Sequence, residues 1–274
     1  MNIHQDLSVT TNAAYAGFED HQFWGYEVFH ELLGRESWGS LLILSITGRR
    51  ISSEEQKIID DIAVINAMAD PRIWPLKITS LVASYGDPVI STMVGSLMLN
   101  KAIIGPGTIG TSAELLMLIH DSVGTDALKN KKILAEKITE ILKTSRLYGF
   151  GVAFRPEDER LQNLKKCVAQ NNRTHLPYWR LLDAVSEVVF QIKGIKPNIA
   201  SGTAAVLLDM GFSPSDIKMI SVALFQTSFF ANAVDGISRN AEVMRCLPKD
   251  RIQYVGRALR QSPRFIHASR NTSR

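Results

Sequence analysis

Apolar residues recur at helical spacing along the whole chain, and run after run opens on a capping residue and closes on glycine. Ser52 with Glu55 three residues later reads as a capping box, and Ile58, Ile59, Ile62 and Ile65 follow on one helix face. Ser37 caps a run ending at Thr47, and Gly48 supplies the left-handed residue that closes it. Tyr26 to Leu33 is a short apolar-faced segment stopped by Gly34. Ser213-Pro214-Ser215-Asp216 opens a further helix, with proline where its missing N–H costs nothing. Strand-like alternation between tight turns is scarce, and neither a βαβ rhythm nor an internal repeat is visible. The expectation is an all-α protein.

Size and charge narrow the class. The 274 residues suffice for one large domain or two unequal ones. Hydrophobic residues at 45% and charged residues at 21% argue against disorder. The net charge of +4 comes partly from Arg257, Arg260, Arg264, Arg270 and Arg274, so no nucleic-acid partner is expected. Two cysteines, Cys167 and Cys246, fit neither a disulfide framework nor a metal site. The first residues carry no basic stretch followed by an apolar one, so no signal peptide is expected. No apolar run is expected to reach the roughly 20 residues of a membrane span, and the expected location is cytoplasmic.

Two glycine-rich breaks stand out. Gly105-Pro106-Gly107-Thr108-Ile109-Gly110 satisfies G-x-G-x-x-G, yet Val89, Met93, Val94, Leu97 and Met98 before it have helical rather than strand spacing, so a dinucleotide fold is rejected. Thr111 with Glu114 reads as a capping box, which makes this loop either a helix N-terminus suited to an anion or a tight turn with no ligand. The second break is Tyr148-Gly149-Phe150-Gly151, followed by a charged stretch from Arg155 to Arg160. The region between is richer in lysine. Residues 113–208 are expected to form a small domain inserted into a large one built from 1–112 and 209–274.

Several blocks, in order, resemble the citrate synthase family, including methylcitrate synthases and citryl-CoA lyases. Gly25-Tyr26 through Arg35 and Leu44 to Arg49 resemble the family's opening segment, and Gly105 to Gly110 stands where the family has G-P-L-H-G-G-A. Gly149-Phe150-Gly151 with Asp158-Glu159-Arg160 is similar to G-F-G-H…D-P-R. Pro197 to Gly202 with Ala205 to Phe212 is similar to N-V-D…LGF, and Pro248 with Gln253-Tyr254-Val255-Gly256 to R-P…YVGP.

The resemblance implies a two-domain helical fold, a homodimer whose C-terminal tail packs across the twofold, and a CoA thioester as substrate or ligand, with no metal. It also implies what is missing. In the family an Asp removes a proton beside the thioester, one His stabilises the enol oxygen, a second polarises the keto acid, and arginines hold carboxylates. Thr108 stands at the enol-stabilising position, Val152 at the second His position and Asn198 at the base position. Gln226 replaces a substrate-holding arginine, Leu247-Pro248 replaces Arg-Pro, and Asp70-Pro71 stands where many relatives have Asp-His. Arg160 remains of the carboxylate-binding set, with Arg155 and Arg245 as stand-ins.

The resemblance keeps Gly149, Phe150 and Gly151 for CoA, with Arg155 toward its phosphates, while Lys165-Lys166 reads first as a solvated helix face. His30 and His120 read as structural or surface histidines, and His175 as a cleft candidate; Tyr178, Trp179 and Phe190 read as small-domain core. Thr108, Asn198 and Arg160 are thus the catalytic candidates, and Gln226, Ser201, Arg245 and His175 the substrate-binding ones. The leading expectation is a repurposed enzyme acting on an acyl-CoA or carboxylic acid by atypical C–C bond chemistry in a biosynthetic pathway. The alternative is a non-catalytic regulatory dimer on the same scaffold.

Overall fold

The computed structural model describes residues 10–67, 70, 72–99, 106–123, 131–144, 146–152, 155–239 and 248–257. It is 67% helical, as expected of an all-α chain. Near the start, β1 (Ala14–Ala16), β2 (His21–Phe23) and β3 (Tyr26–Glu27) form a small antiparallel sheet. A π-helical turn, Val28–Leu32, follows it. This sheet is absent from the sequence reading, since strands of two or three residues carry no usable alternation.

Helices α1 (Trp38–Thr47) and α2 (Ser53–Asn66) start where the sequence places them. Ser37 accepts from the Ser40 N–H and Ser52 from the Glu55 N–H, each in a reciprocal capping box. Gly48 closes α1 with φ 68°, and a Cβ there would lie 2.9 Å from the Trp24 ring, so the position tolerates little but glycine. Helices α3 (Trp74–Ala83), α4 (Pro88–Leu99), α5 (Pro106–Val123) and α6 (Lys131–Thr144) follow. Then come α7 (Glu159–Gln170), α8 (Pro177–Lys193), α9 (Ile199–Asp209), α10 (Pro214–Leu224) and α11 (Gln226–Ile237).

Helix α9 is the axis of the core. Residues 199–208 are all buried, and α5, α7, α8 and α10 pack around them. Each fully buried Leu, Ile or Val contributes roughly 1.5–3 kcal/mol, and Leu207, Ile217, Ile220, Leu164 and Val185 are all at 0% exposure here. Helix α7 also packs on α2, carrying Ile58 and Ile62 into the same core. Arg49 ties the N-terminal helices to the turn after α9: it bonds Glu55 and the Met210 carbonyl and lies over the Phe212 ring.

Helices α3, α4 and α11 form a second block, packed mainly on one another. Small residues allow the close approach: a Cβ on Gly95 would meet Thr79 and Phe229, and one on Gly236 would meet the Ser80 backbone. The run Pro214–Ile237 is long and apolar enough to cross a membrane by length and composition, at a mean hydropathy of 1.3, and half of it is buried inside the fold. The sequence expectation held no such run, because Asp216, Lys218 and Asp235 with the polar Ser221, Gln226, Thr227, Ser228 and Asn232 interrupt its apolar residues.

By internal contacts the chain divides into two compact units, residues 1–240 and 241–274. In the second, Lys249–Arg251 forms a 3-10 turn, and Tyr254 and Val255 are exposed.

Candidate functional site

Two departures from expectation define the site. First, α5 begins at Pro106, so Thr108 and Gly110 lie inside its first turns and Thr111 is no cap. The Thr111 hydroxyl instead donates to the Gly107 carbonyl at 2.9 Å, the back-bond a threonine makes within a helix. The helix therefore starts at Pro106, and the capping box expected at Thr111 and Glu114 does not form. Second, the turn 149–151 is clasped between helices. A Cβ on Gly149 would lie 2.5 Å from Ser112 Oγ on α5 and 2.8 Å from Ser201 Cβ on α9.

Asn198 organises this junction. As the cap of α9 its Oδ1 accepts from the Ala200 N–H at 2.9 Å, while its Nδ2 donates to the Gly151 carbonyl at 2.8 Å. Its backbone N–H donates to the Gly149 carbonyl at 2.8 Å, and its own carbonyl accepts from Ser201 Oγ at 2.9 Å. Both polar atoms of the side chain are thus engaged in holding the turn to the helix.

The same end of α9 is held by a buried carboxylate. Asp158, only 2% exposed, caps α7 through the Arg160 N–H and accepts the Ile199 N–H at 2.9 Å. Arg160 closes on it as a fork, with Nε and Nη2 each 2.9 Å from an oxygen. Burial pushes the Asp158 carboxyl up, but the Arg160 fork and the Ile199 N–H outweigh it and hold the group below its ordinary value. A carboxylate stabilised in this way is a poor general base. The sequence reading assigned Asp158 no role; an Asp two residues before the retained Arg160, at a helix start, was the available signal.

Gly149, Phe150, Gly151, Asn198, Ser201, Asp158 and Arg160 are therefore brought together, with Thr108 one turn before Ser112 on α5, where its carbonyl accepts from Ser112 Oγ. Gly151, at φ 81°, would carry a Cβ into open space, whereas Gly149 is enclosed. Val152 follows in partly exposed chain. Arg155 pairs with Glu159 on the surface. It also helps lower the Asp70 carboxyl, which the Arg72 fork holds down at about 2.

Other candidates lie elsewhere. Gln226 bonds Ser96 on α4 and the Val222 carbonyl, so it joins the second helical block. His175 is exposed in the turn before α8, beside Asp209 at the far end of α9. Eleven residues of helix separate Asp209 from Asn198, roughly 16 Å, which removes His175 from the junction. His120 stacks near Tyr178 with ring centroids 5.0 Å apart, twelve residues or roughly 18 Å along α5 from Thr108. Trp179 is buried and Tyr178 half-buried as expected, whereas Phe190, expected in the core, is exposed because it falls outside the arc of Leu181, Leu182, Val185, Val188 and Val189. Lys165 and Lys166 sit on an outer helix face. Arg245 and Leu247 lie outside the described residues. Among the described residues no group of three or more His, Cys, Asp or Glu side chains is placed to hold a metal ion.

No family model matches the sequence, and no curated protein matches it. Solved structures do. The citryl-CoA lyase of Hydrogenobacter thermophilus superposes with a TM-score of 0.76 at 17% identity, over 94% of this chain and 99% of that one. The ATP citrate lyase of Methanosaeta concilii, a D541A mutant in complex with (3S)-citryl-CoA, gives 0.71 at 16% identity, over 97% of this chain and 44% of that one. The citrate synthase of Thermotoga maritima gives 0.63 at 18% identity, over 83% and 60%. This chain has the citrate-synthase-like helical fold.

Proposed function

We propose that this chain binds a CoA thioester or a related carboxylic acid where α5, the turn 149–151 and α9 meet, and forms or breaks a C–C bond there by chemistry other than citrate synthesis. The observation that carries the reading is the turn itself. Gly149 is locked between Ser112 and Ser201, while Gly151 leaves its face open to close approach, its carbonyl held by Asn198 Nδ2. The ligand chemistry follows from fold-mates that include a citryl-CoA lyase and an ATP citrate lyase holding citryl-CoA. Thr108 and Ser201 supply neutral hydrogen bonds, Arg160 meets a carboxylate, and Arg155 lies four residues beyond Gly151 for a phosphate. Domain closure of 113–208, a homodimeric assembly, a cytoplasmic location and independence of metal complete the reading.

A thermal-shift panel of CoA, acyl-CoA esters and di- or tricarboxylates tests it. A ligand at a hundred times its Kd adds about 2.7 kcal/mol, a rise of roughly 5–10 °C for a domain of this size. No shift with any CoA species or carboxylic acid of the panel at millimolar concentration refutes the reading.

One observation favours a second reading, a regulatory protein that binds without turnover. Asn198 and Asp158 spend their polar atoms on the helix ends and on the glycine turn. Thioester turnover by protein already shown to bind a CoA ester excludes it.

A further inference from the structure

We infer that the junction of α10 and α11 is a hinge with two hydrogen-bonding states, and that the Gln226 side chain is the clamp that holds the bent one. The run Pro214–Ile237 is long enough to be one helix, yet α10 ends at Leu224 and α11 begins at Gln226. Phe225 between them has φ −81° and ψ −8°, where a helix has ψ of about −42°. Its N–H still donates to the Ser221 carbonyl, and the ladder resumes with Phe229 donating to the Phe225 carbonyl. In an unbroken helix the Val222 carbonyl accepts the backbone N–H four residues on, that of Gln226. Here it accepts Gln226 Nε2 at 3.1 Å, and the same amide donates to Ser96 Oγ on α4 at 2.9 Å. A side chain inserted into the ladder is a cause of sharp helix bends.

The two sides of the bend belong to different parts of the fold. Helix α10 packs on α5, α1 and α9, while α11 packs on α3 and α4. A second contact at the pivot is half made. Ser228 Oγ reaches the Asn66 carbonyl only at 3.4 Å, while Asn66, 1% exposed, leaves its Oδ1 without a hydrogen-bond partner among the described residues. Straightening returns the backbone donor to Val222 and lets Ser228 turn to the open Oδ1. Bonds are exchanged rather than lost, which keeps the two states close in energy. A Cβ on Gly110 would lie 3.1 Å from Lys218 Cβ, so α10 rests on the first turns of α5, which carry Thr108. Motion at Phe225 therefore shifts the α3–α4–α11 block relative to α5. This coupling rests on the proposed ligand site, whereas the hinge itself does not.

Amide hydrogen exchange at position 226, read by NMR on the full chain, tests the hinge. In the wild type this N–H exchanges fast. In Gln226→Leu the clamp is gone, the backbone N–H closes onto the Val222 carbonyl, and its exchange slows at least about tenfold. Ser96→Ala removes the anchor on α4 and slows the same N–H by a smaller factor, and it carries the test should Gln226→Leu fail to fold by circular dichroism. Exchange unchanged or faster in the folded variants overturns the hinge and leaves a fixed bend. With millimolar coenzyme A, a change of at least about threefold at position 226 in the wild type supports the coupling. A thermal shift with coenzyme A and no change at position 226 overturns the coupling and leaves the ligand reading standing. No thermal shift with any CoA species or carboxylic acid refutes the ligand reading, and the two variants still decide the hinge.

Discussion

Removing the Asp158 carboxylate should expose how much of the site is structural. Asp158 accepts four hydrogen bonds, from the Arg160 N–H, Nε and Nη2 and from the Ile199 N–H. In Asp158→Ala the α7 cap, worth about 1 kcal/mol, disappears. The Ile199 N–H loses its charged acceptor, a bond worth about 1.5–3 kcal/mol. Arg160 keeps 24% side-chain exposure and recovers part of its hydration, so the full 3–5 kcal/mol of a broken buried pair does not apply. The expected loss is about 3 kcal/mol, or roughly 6–12 °C in Tm at about 2–4 °C per kcal/mol. The pH dependence fixes the cause. A carboxyl whose folded value lies below its ordinary 3.8 contributes stability that is fully present above 3.8 and lost as pH falls through the folded value. The gap between wild type and Asp158→Asn should be constant from pH 8 to pH 5 and shrink below 3.8. A loss under 1 °C, or a gap of unchanged size in acid, refutes this account of the junction.

Further outcomes follow from the same geometry. Gly149→Ala puts a methyl 2.5 Å from Ser112 Oγ at φ 82° and should cost roughly 2–4 kcal/mol by chemical denaturation. Gly151→Ala, at φ 81° but facing open space, should cost only about 1 kcal/mol while weakening CoA binding in calorimetry. Asp209→Ala strips the N–H groups of Tyr178 and Trp179 of their acceptor and should cost about 1–2 kcal/mol. Burial raises the Asp209 carboxyl, so wild type should lose stability relative to Asp209→Asn as pH rises from 3.8 through the raised value.

The fold was legible where its determinants are local. Ser37, Ser52 and Ser213 cap helices whose signals lie within four residues, and proline and glycine mark their limits. Thr111–Glu114 carries the same local signal and misleads, because a proline five residues earlier opens the helix and leaves Thr111 in its interior. The ordered family blocks pointed to the fold although 16–18% identity lies below what sequence comparison recovers. The site was less legible. The bond from Ile199 to Asp158 spans 41 residues and that from Asn198 to Gly151 spans 47, so no local pattern reveals either. His175 and Gln226 were chemically sound candidates, but helix length and the Ser96 bond place them in other surroundings.

Those long-range bonds change the meaning of the missing acid–base groups. A site that had merely lost its base by substitution would leave a void or an unmet donor where the carboxylate had been. Here Asn198 meets both the first turn of α9 and the glycine turn, and Asp158 meets Ile199, so each backbone group they touch is satisfied without a ligand. The polar side chains described at the junction are hydrogen-bonded to one another and to backbone, and Asp158 is held toward its ionised form. Binding at such a surface costs little reorganisation, whereas proton abstraction from a thioester needs a base whose affinity for the proton is raised, not lowered. Under the proposed C–C bond chemistry, the proton acceptor must therefore come from the substrate or from residues other than Asp158 and Asn198.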